Sequence, residues 1–146
     1  MTKGRHPHPH TDELHVFLIP AEPEEQMELV VLPNNAAALS RRLSATHLYI
    51  IHEDLGLPAL DCGCPLFMAL NYEGQVEGHE LAPNMRASLF LQNGDIIYGD
   101  VLMVGEGVVK YDDGRTDVDF VSLTPSFHDW QGPGHPVPSS SLPWHN

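Results

Sequence analysis

Basic residues are scarce in this chain, with 7 Lys and Arg against 20 Asp and Glu and a formal net charge of −13. Nucleic-acid surfaces draw their affinity from clustered Lys and Arg, so direct binding to DNA or RNA is not expected. Cysteine is nearly missing too. The 2 present, Cys62 and Cys64, are separated by Gly63 alone, which makes no disulfide framework and fits a reducing compartment. No apolar run approaches the ~18 residues of a membrane span, and the N-terminal region lacks the continuous apolar stretch of a secretory signal. The expected compartment is the cytoplasm, without a membrane partner.

Catalytic signatures are also lacking. Gly105, Glu106 and Gly107 follow a strand-like stretch but lead into Val108 and Val109 rather than a helix, and no Gly-Lys-Ser/Thr occurs, so a nucleotide loop is not expected. No glycine-flanked serine or cysteine-protease context is present. The expectation is a protein that is not an enzyme.

What is there suits one globular domain: 146 residues, 42% of them hydrophobic. The ends differ from the middle. His6, His8 and His10 alternate with Pro7 and Pro9, and Pro133, Pro136, Pro138 and Pro143 flank a serine run. Proline fixes φ and withholds a donor, so the expected organisation is a flexible His/Pro arm over 1–12, one α+β domain over 13–130, and a flexible Pro/Ser tail over 131–146.

Within the domain, short apolar runs separated by turn residues predict one mainly antiparallel or mixed β-sheet with one amphipathic helix and one or two short helices. Strands are expected over 14–19, 27–32, 46–52 and 66–72, the third central because it is apolar on both faces. Asn34 or Asn35 caps a helix whose Ala36, Leu39 and Leu43 recur at helical spacing. Residues 53–65 form the longest interior loop and 72–78 a turn, and Pro83 with Asn84 starts a short helix reaching Leu91. Further strands are expected at 96–98 and 101–104, and a hairpin pairs 108–111 with 116–123 across Asp113 and Gly114. Thr124 and Pro125 open a last short helix through about Trp130.

Asn71, Glu73 and Gly74, then Pro83, Asn84 and Arg86, then Ile96, Ile97, Gly99, Asp100 and Val101, and finally Phe120, Ser122, Leu123 and Thr124 form an ordered set. In that order the chain, over roughly 27–130, resembles an uncharacterised "domain of unknown function" family of small phage, mobile-element and Gram-positive bacterial proteins. The resemblance implies an accessory protein with no assigned activity. The cysteine loop, the His-rich arm and the Pro/Ser tail depart from it.

Three groups of side chains are candidates for chemistry. Arg86, near a helix start that Asn84 caps, suits a carboxylate or phosphate, so Asn84 and Arg86 are the candidate ligand-binding pair. Asp112, Asp113, Asp117 and Asp119 concentrate charge in the hairpin, with Asp117 and Asp119 on one strand face and Val118 and Phe120 directed to the core. They form the candidate partner-binding acidic face. Cys62, Cys64, His52 and His79 are a candidate zinc set, although paired zinc cysteines usually stand further apart.

The leading functional expectation is therefore a non-enzymatic phage or mobile-element accessory protein that binds a host protein through an acidic surface, in a host-takeover or anti-defence role. A basic, nucleic-acid-associated protein is the fitting partner. The alternatives are an oligomeric small-molecule binder or sequestering protein for nucleotide-like ligands, a minor virion component, and a zinc-dependent enzyme.

Overall fold

The computed structural model describes residues 7–51, 65–91 and 94–123. In chain order the described residues form β1 (His8–Pro9), β2 (Glu13–Ile19), β3 (Glu28–Pro33), α1 (Ala36–Arg42), β4 (Leu48–Ile51) and β5 (Leu66–Asn71). A 3-10 turn (Tyr72–Gln75) follows, then β6 (Pro83–Asn84), α2 (Met85–Ser88), β7 (Ile97–Tyr98), β8 (Val101–Lys110) and β9 (Thr116–Val121). The expected α+β class holds. The main sheet runs β3-β2-β8-β5-β4, with β9 and β1 added to β8.

Strand β8 organises this sheet by changing partners along its length. Its first half lies between β2 and β5, with Met103 opposite both Phe17 and Met68. Its second half pairs antiparallel with β9 from Gly105 to Lys110 and parallel with β1 at Val109 and Lys110. The glycines at 105 and 107 therefore lie inside one ten-residue strand, where the sequence suggested a break between two. Gly105 is opposite Leu66 on one edge and Val121 on the other, so the ladder carries straight through it.

Side chains alternate across the sheet and build a core on each face. Under α1, Leu39 and Leu43 cover Leu14, Val16, Leu18, Phe67, Leu102 and Val104. On the opposite face Ala87, Phe90 and Ile97 cover Phe17, Ile19, Met68, Leu70, Val101 and Met103. All six residues of β5 are buried, as a strand between two layers requires. Full burial of each large apolar side chain stabilises the fold by about 1.5–3 kcal/mol.

Three expectations need correction. Strand β4 is an outer strand among the described ones, not a central one: of these it pairs with β5 alone, and Tyr49 is 38% exposed. Its two-sided apolarity reflects layers above and below, since Ile51 packs on one core and Leu48 and Ile50 on the other. Val118 is 58% exposed rather than in the core, opposite Val108, itself 47% exposed. Only Phe120 of that pair turns inward, where its ring meets Phe67 at 5.9 Å. Finally, the arm is docked where it is described: His8 and Pro9 lie along β8, and the His10 amide donates to the Lys110 carbonyl at 3.1 Å. Pro9 has no donor to contribute, and His10 supplies one beyond it.

The α1 cap is Asn35, whose Oδ1 accepts from the Ala38 amide at 2.8 Å. The hairpin turns at Gly114 with φ of +87°, a region that favours glycine. The expected loop over 53–65, apart from Pro65, and the helix over 124–130 lie outside the described residues.

Candidate functional site

Asn84 and Arg86 act on the chain itself. Pro83 and Asn84 pair with β7, and Asn84 then caps α2, its Oδ1 accepting from the Ala87 amide at 3.0 Å. Its Nδ2 donates to the Ile19 carbonyl at 2.8 Å and to the Gly99 carbonyl at 3.0 Å. The side chain is fully buried, and both its donors are used. Ser88 completes the knot, donating to the Asn84 carbonyl and accepting from the Ile97 amide, each at 2.7 Å. Asn84 thus ties the end of β2, the start of α2 and the turn before β8 into one point.

Arg86 extends that point outward. Its Nη2 donates to the Pro20 carbonyl at 2.7 Å and to the Glu22 carbonyl at 2.9 Å. Its buried Nε has no partner among the described residues. From the other side, Asp100 Oδ1 accepts from the Ala21 amide at 2.8 Å. Glu25 N closes the turn onto the Glu22 carbonyl at 3.0 Å. Of the pair expected to bind a ligand, Arg86 holds the acidic loop that follows β2, and Asn84 holds the strand end before it.

That loop forms one wall of a groove of about 600 Å³. The C-terminal end of α1 supplies Arg42, Leu43 and Ser44, and the segment before α2 supplies Glu80, Leu81, Pro83 and Met85. Leu81 lies across Gly99, whose φ is +85°, and a Cβ added there would stand 3.3 Å from Leu81 Cδ1. A smaller hollow of about 270 Å³, lined by Thr46, His47, Tyr72, Glu73 and Val76, adjoins it through Ser44 and Asn71. The sequence marks neither the loop acids nor Glu80 as a candidate site, and Asp100 enters there only with the residues that carry the resemblance. Glu22 and Asp100 are 78 positions apart in the chain, so no local pattern joins them.

The hairpin carboxylates are present but largely engaged with their own strand. Asp113 Oδ1 accepts from the Arg115 amide, and Asp117 Oδ1 from the Val118 amide. Asp119 Oδ1 accepts from the Phe120 amide and its Oδ2 from the Tyr111 hydroxyl. Arg115 lies 3.8 Å from Asp113 and 3.9 Å from Asp117, with its guanidinium 4.2 Å above the Tyr111 ring centre. The hydrogen bond to Asp119 raises the Tyr111 pKa above the ordinary 10.0, helped by desolvation and by the Asp119 charge. Asp112 is exposed beside them.

Of the candidate zinc residues, His52, Cys62 and Cys64 lie outside the described residues. His79 is described, and its Nδ1 accepts from the Leu81 amide at 3.1 Å while its ring meets Tyr98 edge-on at 4.5 Å. Among the described residues no three His, Cys, Asp or Glu side chains converge as metal ligands. No described helix is long and apolar enough to cross a membrane.

No protein-family model matches the sequence, and neither does any curated protein. Among solved structures, the chain is similar to part of a crystal structure of the small RNA methyltransferase HEN1, with a TM-score of 0.54 at 20% identity over 82% of this chain. The chain spans 16% of that structure's length. At this identity the likeness describes the fold.

Proposed function

We propose that this chain is a non-enzymatic accessory protein of the phage or mobile-element kind, working in the host cytoplasm by binding a host protein through an acidic surface. The observation that carries the reading is an exposed surplus of carboxylate. Glu22, Glu24, Glu25, Glu73, Glu77 and Glu80 are all exposed, and among the described residues none forms an ion pair. A field of one sign steers encounter with a surface of the other, so the fitting partner is a basic protein, such as one that otherwise holds nucleic acid. The small-molecule alternative relied on Asn84 and Arg86, whose hydrogen bonds go to the backbone instead.

Native mass spectrometry of the untagged chain after incubation with host lysate tests the proposal. The expected spectrum holds a complex with a basic host protein that dissociates as salt rises from about 0.05 M to about 0.5 M, where screening becomes short-ranged. Absence of any protein complex, or one indifferent to salt, refutes it. The same spectrum reads bound zinc directly.

A further inference from the structure

We propose that the groove between the loop after β2, the end of α1 and the segment before α2 is the docking site for an extended segment of the partner, one that carries Lys or Arg on both sides of an apolar side chain. This deepens the host-protein reading and rests on it. The groove's floor is apolar: Leu81 and Pro83 line it, and Met85, 54% exposed, offers a flexible side chain that adapts to a varied occupant. Its rim is acidic, with Glu22 and Glu25 on one wall and Glu80 and Asp100 beyond them, against the single base Arg42. A volume of about 600 Å³ falls in the range that holds a ligand of a few hundred daltons or a short stretch of chain.

The placement of the acids selects the occupant. No three carboxylates converge as ligands among the described residues, so the rim does not suit a bare metal ion. Spread along an apolar floor, the acids match cations carried at intervals along a chain with an apolar residue between them. Arg42 adds direction, because it repels a cation at the α1 end and leaves Glu22, Glu25 and Glu80 to receive the basic side chains. The wall is also built in advance. Arg86 holds the Pro20 and Glu22 carbonyls at 2.7 and 2.9 Å, and Asp100 holds the Ala21 amide at 2.8 Å. A preformed wall spares the ordering entropy that a loose loop loses on binding.

The probe is a fluorescein-labelled peptide with two lysines on each side of a central leucine, titrated with the full chain and followed by anisotropy. A chain carrying Glu22→Gln, Glu25→Gln and Glu80→Gln together is expected to bind it at least about tenfold more weakly. A control carrying Asp112→Asn and Asp113→Asn in the hairpin is expected to change affinity less than about twofold. All five side chains are exposed, so unchanged melting of both variants checks the fold, and Glu80→Lys alone provides a second, milder groove variant expected to weaken binding as well. Replacing the central leucine of the peptide by serine is expected to weaken binding to the wild type, through loss of the apolar contact. Equal weakening by groove and hairpin variants overturns the groove as the site while leaving the acidic-surface reading intact. Failure of the wild type to bind the peptide also overturns it, and the native spectrum then decides the host-protein reading separately.

Discussion

Replacing Asn84 by alanine tests whether this residue serves the fold, as its contacts indicate. The substitution removes the α2 cap on the Ala87 amide, a loss of about 1 kcal/mol. It also strips the Ile19 and Gly99 carbonyls of a buried donor, at about 1–3 kcal/mol for each group left unsatisfied. The sum, about 3–7 kcal/mol, is a large share of the roughly 5–15 kcal/mol that holds a typical domain. With a urea slope of about 2 kcal/mol per molar, the unfolding midpoint falls by about 1.5–3.5 M at unchanged slope. Asn84→Asp sharpens the test. It keeps the capping oxygen but turns an acceptor toward two carbonyls, so at neutral pH it is expected to destabilise at least as much as alanine. A loss below about 1 kcal/mol for Asn84→Ala would refute the reasoning and return the side chain to the list of groups available to a ligand.

Two other expectations follow from single contacts. Asp119→Asn replaces the charged acceptor of the Tyr111 hydroxyl, so spectroscopic titration of the phenol is expected to show that tyrosine returning toward the ordinary 10.0. Because the folded value is raised, the contact supports the fold below the unfolded value and is lost as pH climbs through the raised one. Wild-type and Asp119→Asn stabilities should therefore converge as the pH climbs above about 10. No movement of the titration would show that Asp119 does not hold the phenol. Gly99→Ala puts a side chain at a φ of +85° and 3.3 Å from Leu81 Cδ1. It is expected to lower stability by about 1–2 kcal/mol in thermal melts, and a neutral result would mean that the turn relaxes freely.

Much of the sheet was legible before the structure. Short apolar runs between turn residues marked β2, β3 and β5, Asn34 or Asn35 marked the start of α1, and Asp113 with Gly114 marked the hairpin. These are local signals: an apolar run bounded by turn residues, a capping side chain, a residue that tolerates positive φ. The order of strands was not legible. Residues 48–51 and 66–71 both read as buried strands, yet one is an outer strand and the other lies inside the sheet. An apolar strand records which faces are covered and is silent about which edges are paired. The exposed Val108 and Val118 make the same point, since alternation assigns a face and not whether that face is covered.

For the candidate site, the chain by itself determined the excess of carboxylate, the poverty of bases and the identity of Asn84 as a capping residue, because composition and i to i+3 contacts are properties of the sequence. Only the tertiary structure decided what Asn84 and Arg86 hold. Their partners at Ile19, Pro20 and Glu22 lie more than 60 residues away. It alone decided that the hairpin acids are engaged by Arg115, Tyr111 and their own backbone while Glu22, Glu25, Glu80 and Asp100 share one groove. The physical reason is that charge is a sum over residues, fixed once the chain is written. A site is a set of distances, and those exist only after β2, α1 and α2 have been brought against the same sheet.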